Sequence, residues 1–124
     1  HLPYPDYMQV LNQCDLYINP FPYGNMNGIA DMAFQGLVGV CRTGPDVHEH
    51  IDEGIFQRLG LPDWLIASTD EAYVQAAVRL AENHTERLAL RRDLLERQAV
   101  EVLYQGRPEV LGQKLLALVE ALNQ

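Results

Sequence analysis

Apolar residues recur along this chain in two alternating rhythms. Near the start, Tyr7, Val10, Leu11 and Cys14 fall at i, i+3, i+4 and i+7, the spacing of one buried helical stripe, with Pro5 suited to a first turn. Asp15 to Asn19 then reads as a strand with Leu16 and Ile18 on one face. A second helical pattern runs from about Met26 to Gln35, turns Ile29, Met32 and Ala33 inward, and stops at Gly36. Leu37 to Cys41 is apolar without polar alternation, as in a parallel strand covered on both faces. A short helix is predicted after Val47, continuing to Leu59 and ending at Gly60, and Trp64 to Ala67 forms a third strand. Ser68 with Glu71 has the form of a capping box for a helix that turns Tyr73, Ala76, Ala77 and Leu80 inward and ends near Asn83. Thr85 is placed to cap the next helix, which aligns Leu88, Leu95 and Val102 and breaks at Gly106. Pro108 opens the last, with Leu111, Leu115, Leu118 and Leu122 inward.

Strands alternating with helices imply an α/β fold, a Rossmann-like parallel sheet with flanking helices and right-handed crossovers. Three strands are few for a doubly wound domain. The chain also opens on His1, without Met, directly before a helix signal. Both features lead us to expect a piece of a longer protein with further strands upstream. In such sheets ligands bind beyond the carboxyl ends of the strands.

That edge gives one segment particular weight. Pro20-Phe21-Pro22-Tyr23-Gly24 is a turn, and Asn25-Met26-Asn27-Gly28-Ile29-Ala30-Asp31 enters the second helix. A helix start offers unpaired N–H groups and partial positive charge to a phosphate. The Asn27 amide adds a donor. Asp31, one turn on, shares its face and suits the paired hydroxyls of a ribose. A nucleotide diphosphate fits this pattern, and so does a helix cap that binds nothing.

Composition narrows the alternatives. The chain has 124 residues, 48% hydrophobic, which suits one domain burying roughly two-thirds of its unfolded surface. Its formal charge of -8 opposes binding to a nucleic-acid backbone, and no apolar run reaches the roughly 18 residues of a membrane span. Cys14 and Cys41 show neither metal spacing nor a disulfide pattern and read as reduced core thiols, which favours a cytoplasmic location.

Other chemistry-bearing residues carry less. Asp46, His48, Glu49, His50 and Asp52 look like a metal cluster, but two residues apart on a helix point about 200° apart, so His48 and His50 do not share an ion there. Glu49 or His50 can instead sit at the rim of the ligand cleft. An apolar strand raises the pKa of the Cys41 thiol and argues against a nucleophile. The charges from Glu86 to Arg97 read as a solvated helix face.

Several segments together resemble one family: His1-Leu2-Pro3-Tyr4, Asp15 to Asn25, Asn27-Gly28 with Asp31, Gly36 to Cys41, and Thr43 to Gly54. They are similar to the C-terminal part of the bacterial cytoplasmic N-glycosyltransferases that modify high-molecular-weight adhesins, relatives of the O-GlcNAc transferases. The likeness covers essentially the whole chain and is specific from His1 to Gly60.

The resemblance implies a GT-B enzyme, of which residues 1–124 form the latter part of the C-terminal, UDP-sugar-binding domain, ending in a helical tail from about residue 70. The implied activity is inverting, metal-independent transfer of a hexose, usually glucose, from a UDP-sugar to Asn in Asn-X-Ser/Thr sequons. It implies no cofactor beyond the donor substrate and, as acceptor, a protein such as a secreted adhesin. Carried over by position, His1 and Pro3 match donor-site residues, Asn27 and Gly28 the diphosphate-binding helix start, and Asp31 the ribose acid, with Asn25 and Met26 in the same loop. No catalytic base is implied within these residues. The family also uses a diphosphate-binding lysine, which would lie upstream; Lys114, the only lysine here, falls in the last helix. The fragment alone is therefore expected to be inactive and to bind UDP weakly or not at all. Two other readings remain: a GT-B nucleotide-sugar enzyme of another class, such as an epimerase, and a non-catalytic interaction module.

Overall fold

The computed structural model describes residues 1–123. The first helix, α1 (Tyr4–Asn12), leads to strand β1 (Tyr17–Ile18), and α2 (Asn27–Phe34) connects it to β2 (Gly39–Arg42). A 3₁₀ turn at Val47–Glu49 and α3 (Ile51–Arg58) precede a second 3₁₀ turn at Asp63–Leu65 and β3 (Ile66–Ala67). Four helices follow: α4 (Asp70–Glu82), α5 (His84–Glu96), α6 (Glu101–Tyr104) and α7 (Pro108–Leu122).

The sheet has the order β1-β2-β3 with both pairings parallel, as the alternation of elements implies. Tyr17 pairs with Gly39 and Ile18 with Val40, while Cys41 pairs with Ile66 and Arg42 with Ala67. The glycine at position 39 has a local cause, because a Cβ there would enter the Tyr17 ring. Central β2 is the most buried strand, with Val40 and Cys41 fully buried. Ile29 and Ala33 of α2, Phe56 of α3, Leu65, Leu80 of α4 and Leu94 of α5 close the core around it.

Three helices stop in the same way. In α2, α3 and α5 a residue at positive φ follows the end, and the next N–H reaches back five residues: Leu37 to Met32, Leu61 to Phe56, and Ala99 to Leu94. Gly36 and Gly60 fill this position as the sequence suggests, at φ 70° and 67°. The third is Gln98, at φ 50°. The fifth helix therefore ends there, and the predicted continuous stripe to Val102 is broken into α5 and α6.

Several boundaries and burials differ from the sequence expectation. Thr69, not Ser68, caps α4, its hydroxyl accepting from the Ala72 N–H at 3.1 Å. Asn83, not Thr85, caps α5 by accepting from the Glu86 N–H at 3.1 Å. Of the predicted α1 stripe only Leu11 is buried; Val10 and Cys14 are exposed, so Cys14 is not a core thiol. The predicted inward face of α7 is also exposed, from 53% at Leu115 to 85% at Leu122. None of the described α7 residues is buried.

Candidate functional site

Two connections meet at the carboxyl edge of the sheet: residues 20–26 after β1 and residues 43–50 after β2. The Tyr23 ring stacks on His48 at 4.8 Å between centroids and 25° between planes. Behind this contact the Asp52 carboxylate accepts hydrogen bonds from the N–H groups of Asn25 (3.0 Å) and Met26 (3.1 Å). A Cβ at Gly24 would collide with the same carboxylate, so the close approach requires glycine. Met26, the residue before α2, is held at φ 37°, an uncommon conformation for a side-chain-bearing residue.

These contacts shape the start of α2. The Gly28 N–H bonds the Asn25 carbonyl at 2.8 Å and the Ile29 N–H bonds the Met26 carbonyl at 3.0 Å. Among the described residues no acceptor takes the Asn27 N–H, and the Asn27 side chain is exposed beside it. A Cβ at Gly28 would run into the Asn25 side chain, which explains the second glycine of the loop. The helix start thus presents one free backbone donor and one free amide, together with the positive end of α2.

Asp31 lies one turn further on and is half-buried. The Tyr4 hydroxyl donates to its Oδ1 at 2.8 Å, which raises the Tyr4 pKa. Oδ2 is left to accept from elsewhere. This bond is how the N-terminal segment reaches the site: His1 and Pro3 are exposed and precede Tyr4, with Pro3 at the start of α1. Beside Asp31, Tyr4, Met8, Phe34 and Tyr104 line a groove of about 540 Å³. A concavity of about 650 Å³ lies along Val74, Val78 and Asn83, but it touches none of these residues.

The second loop organises its own polar groups. His50 Nδ1 lies 3.0 Å from Glu53 Oε2 and 3.2 Å from Thr43 Oγ1, and the Thr43 hydroxyl also donates to Glu53. The Glu53 hydrogen bond raises the His50 pKa; the Thr43 hydroxyl and then His50 lower that of Glu53. Asp46, His48 and Glu49 bring possible ligand atoms within 4.8 Å of one another. The Asp46 N–H already donates to Glu49 at 2.9 Å, a helix-start contact, and His50 Nδ1 is engaged by Glu53 and Thr43 instead. Cys41 is buried, and burial with the nearby Asp52 and Glu53 charges pushes its thiol up to about 12, so it supplies no thiolate.

The structure thus brings Asn25, Met26, Asn27, Gly28 and Asp31 into one surface and ties Tyr4 to it. Sequence reasoning missed Asp52 and Tyr4 as parts of this arrangement. Their partners lie 26 or more residues away, and two of Asp52's are backbone groups with no side-chain signature.

No family model matches the chain. It is 57% identical over 121 residues to a protein named UDP-glucose:protein N-beta-glucosyltransferase from Actinobacillus pleuropneumoniae serotype 5b (strain L20), an alignment covering 98% of this chain and 20% of that protein. It is 28% identical over 102 residues to a probable UDP-N-acetylglucosamine--peptide N-acetylglucosaminyltransferase SPINDLY of Solanum lycopersicum, covering 82% of this chain and 11% of that one. Among solved structures, a mutant O-GlcNAc transferase of Thermobaculum terrenum superposes with a TM-score of 0.74 at 22% identity, over 81% of this chain and 19% of its own. That likeness shows the fold, and it agrees with the α/β, GT-B-type architecture expected from the sequence. The chain spans about one-fifth of the length of the glucosyltransferase it resembles.

Proposed function

We propose that this chain is the latter part of the C-terminal, donor-binding domain of a longer inverting glycosyltransferase. It moves glucose from UDP-glucose to the side-chain amide of Asn in Asn-X-Ser/Thr sequons of an acceptor protein such as an adhesin, in the cytoplasm. The observation that carries this reading is 57% identity over 98% of the chain to a UDP-glucose:protein N-beta-glucosyltransferase. The free Asn27 donors and Asp31 at the sheet's carboxyl edge support it. No helix among the described residues is long and apolar enough to cross a membrane.

On this reading the β-phosphate of UDP lies against the α2 N-terminus. As the glycosidic bond to UDP breaks, negative charge grows on that phosphate. The Asn27 N–H, the Asn27 amide and the helix end meet it with dipoles already oriented, so little reorganisation is needed at the moment of reaction. On this reading these donors, together with the lysine that the resemblance implies upstream, take the place of the divalent cation that other glycosyltransferases use. Asp31 accepts from the ribose hydroxyls through Oδ2, while Tyr4 fixes its other oxygen. His1 and Pro3 approach the donor from the segment before Tyr4. Gly28 gives the phosphate backbone-close access.

The test is incubation of the full polypeptide with UDP-glucose and a sequon peptide, read by mass spectrometry. Gain of one hexose on Asn supports transfer; hydrolysis or isomerisation of the donor without peptide modification assigns a different nucleotide-sugar enzyme. Asp31→Ala is expected to raise the KM for UDP-glucose about 10- to 100-fold, the loss of charge-assisted hydrogen bonds, without unfolding the protein. An unchanged KM removes Asp31 from the donor site.

A further inference from the structure

Asp52 is 3% exposed, and no Lys, Arg or His among the described residues pairs with it. A buried carboxylate is costly unless hydrogen bonds replace its water. Here each oxygen has one: Oδ2 accepts from the Asn25 N–H and Oδ1 from the Met26 N–H. Asp52 also lies in the first turn of α3, where the helix end favours negative charge. Two of the helices that start at the sheet's carboxyl edge, α2 and α3, are therefore joined through one carboxylate.

The consequence falls on the next residue. With two successive amides turned toward Asp52 and Met26 fixed at φ 37°, Asn27 is the first residue whose N–H is directed elsewhere. We propose that Asp52 is a positioning residue for the donor diphosphate: it fixes the Asn25–Met26 turn so that the Asn27 backbone and side-chain donors are held at the phosphates. This rests on the donor-site reading above. A carboxylate is required rather than an amide because both partners are donors. Asparagine offers one acceptor and places its NH₂ against the second N–H.

The experiment uses the full polypeptide, with steady-state kinetics and thermal unfolding measured together. Asp52→Asn is expected to raise the KM for UDP-glucose about tenfold while the KM for the sequon peptide stays unchanged, a split that general loosening of the fold does not produce. Gly24→Ala crowds the same carboxylate and is expected to act in the same direction. The double variant should be no worse than the more severe single one, because both changes disturb one contact. A folded Asp52→Asn protein with unchanged donor KM overturns the proposal.

Hydrogen exchange on the unmodified protein gives a test that does not depend on the variants folding. The Asn25 and Met26 amides should be protected without UDP and unaffected by it, while Asn27 slows when UDP is added. Slowing of Asn25 and Met26 by UDP, with none at Asn27, also overturns it. Asp31→Ala separates the two readings. If it weakens UDP binding while Asp52→Asn leaves binding unchanged, only the Asp52 role fails; if neither affects binding, the donor site itself is wrong.

Discussion

His50 shows how a single residue's environment differs from what its neighbours in sequence suggest. Among the acidic residues around it, the partner that matters is Glu53, which holds Nδ1 at 3.0 Å. That bond favours the imidazolium and raises the His50 pKa above its ordinary 6.5. A raised histidine stabilises the fold fully below 6.5 and loses that contribution as pH climbs through the raised value. Glu53 is depressed below 4.5, so its contribution is present above 4.5 and lost as pH falls through the lowered value. The pair is intact between these limits. An NMR titration should place His50 above 6.5, and Glu53→Gln should bring it down; a His50 midpoint indifferent to that substitution disproves the pairing. At this scale the sequence was partly legible. Asn27 and Asp31 stand out because helical spacing puts them on one face. Asp52 does not, since its partners are peptide N–H groups in a loop 26 and 27 residues away.

At the scale of elements, the same physics made some boundaries readable and hid others. Gly36 and Gly60 announce helix ends because glycine enters the left-handed region without steric cost. Gln98 makes an equivalent stop at φ 50° with no such signal, so the sequence suggested a helix running through it. The caps show a second kind of ambiguity. Ser68-Thr69 offers two adjacent hydroxyls, and the pattern of Ser68 with Glu71 favoured the first. The structure uses the second, because Thr69 is extended and its Oγ1 reaches the Ala72 N–H. Thr69→Ala is therefore expected to cost about 1 kcal/mol in urea unfolding, and Ser68→Ala less than about 0.5 kcal/mol. Equal losses, or a larger loss at Ser68, contradict this assignment.

Across the whole molecule, the alternation of strands and helices specified a parallel sheet because a crossover helix leaves little other choice. Hydrophobic periodicity shows which face of a helix is apolar; it does not show whether anything covers that face. The stripes on α1 and α7 illustrate the difference. Core formation is concentrated around β2, where Val40, Phe56, Leu65, Leu80 and Leu94 are sealed from solvent. In α5 the predicted line fails in the same way, with Leu88 and Leu95 each 45% exposed, while Leu94 beside that line is 2% exposed; Leu118, on the predicted inward face of α7, is 62% exposed. Truncating Leu94 and Leu118 in turn should separate pattern from packing. Leu94→Ala removes atoms from a close-packed interior and leaves a cavity, so it should cost about 2–5 kcal/mol. Leu118→Ala removes atoms already in contact with water, creates no cavity, and should change the stability of this chain by no more than about 0.5 kcal/mol. Urea unfolding of the two variants at equal protein concentration is the measurement. A comparable loss at both positions would mean that α7 packs onto the core, and it would restore the inward face that periodicity predicts.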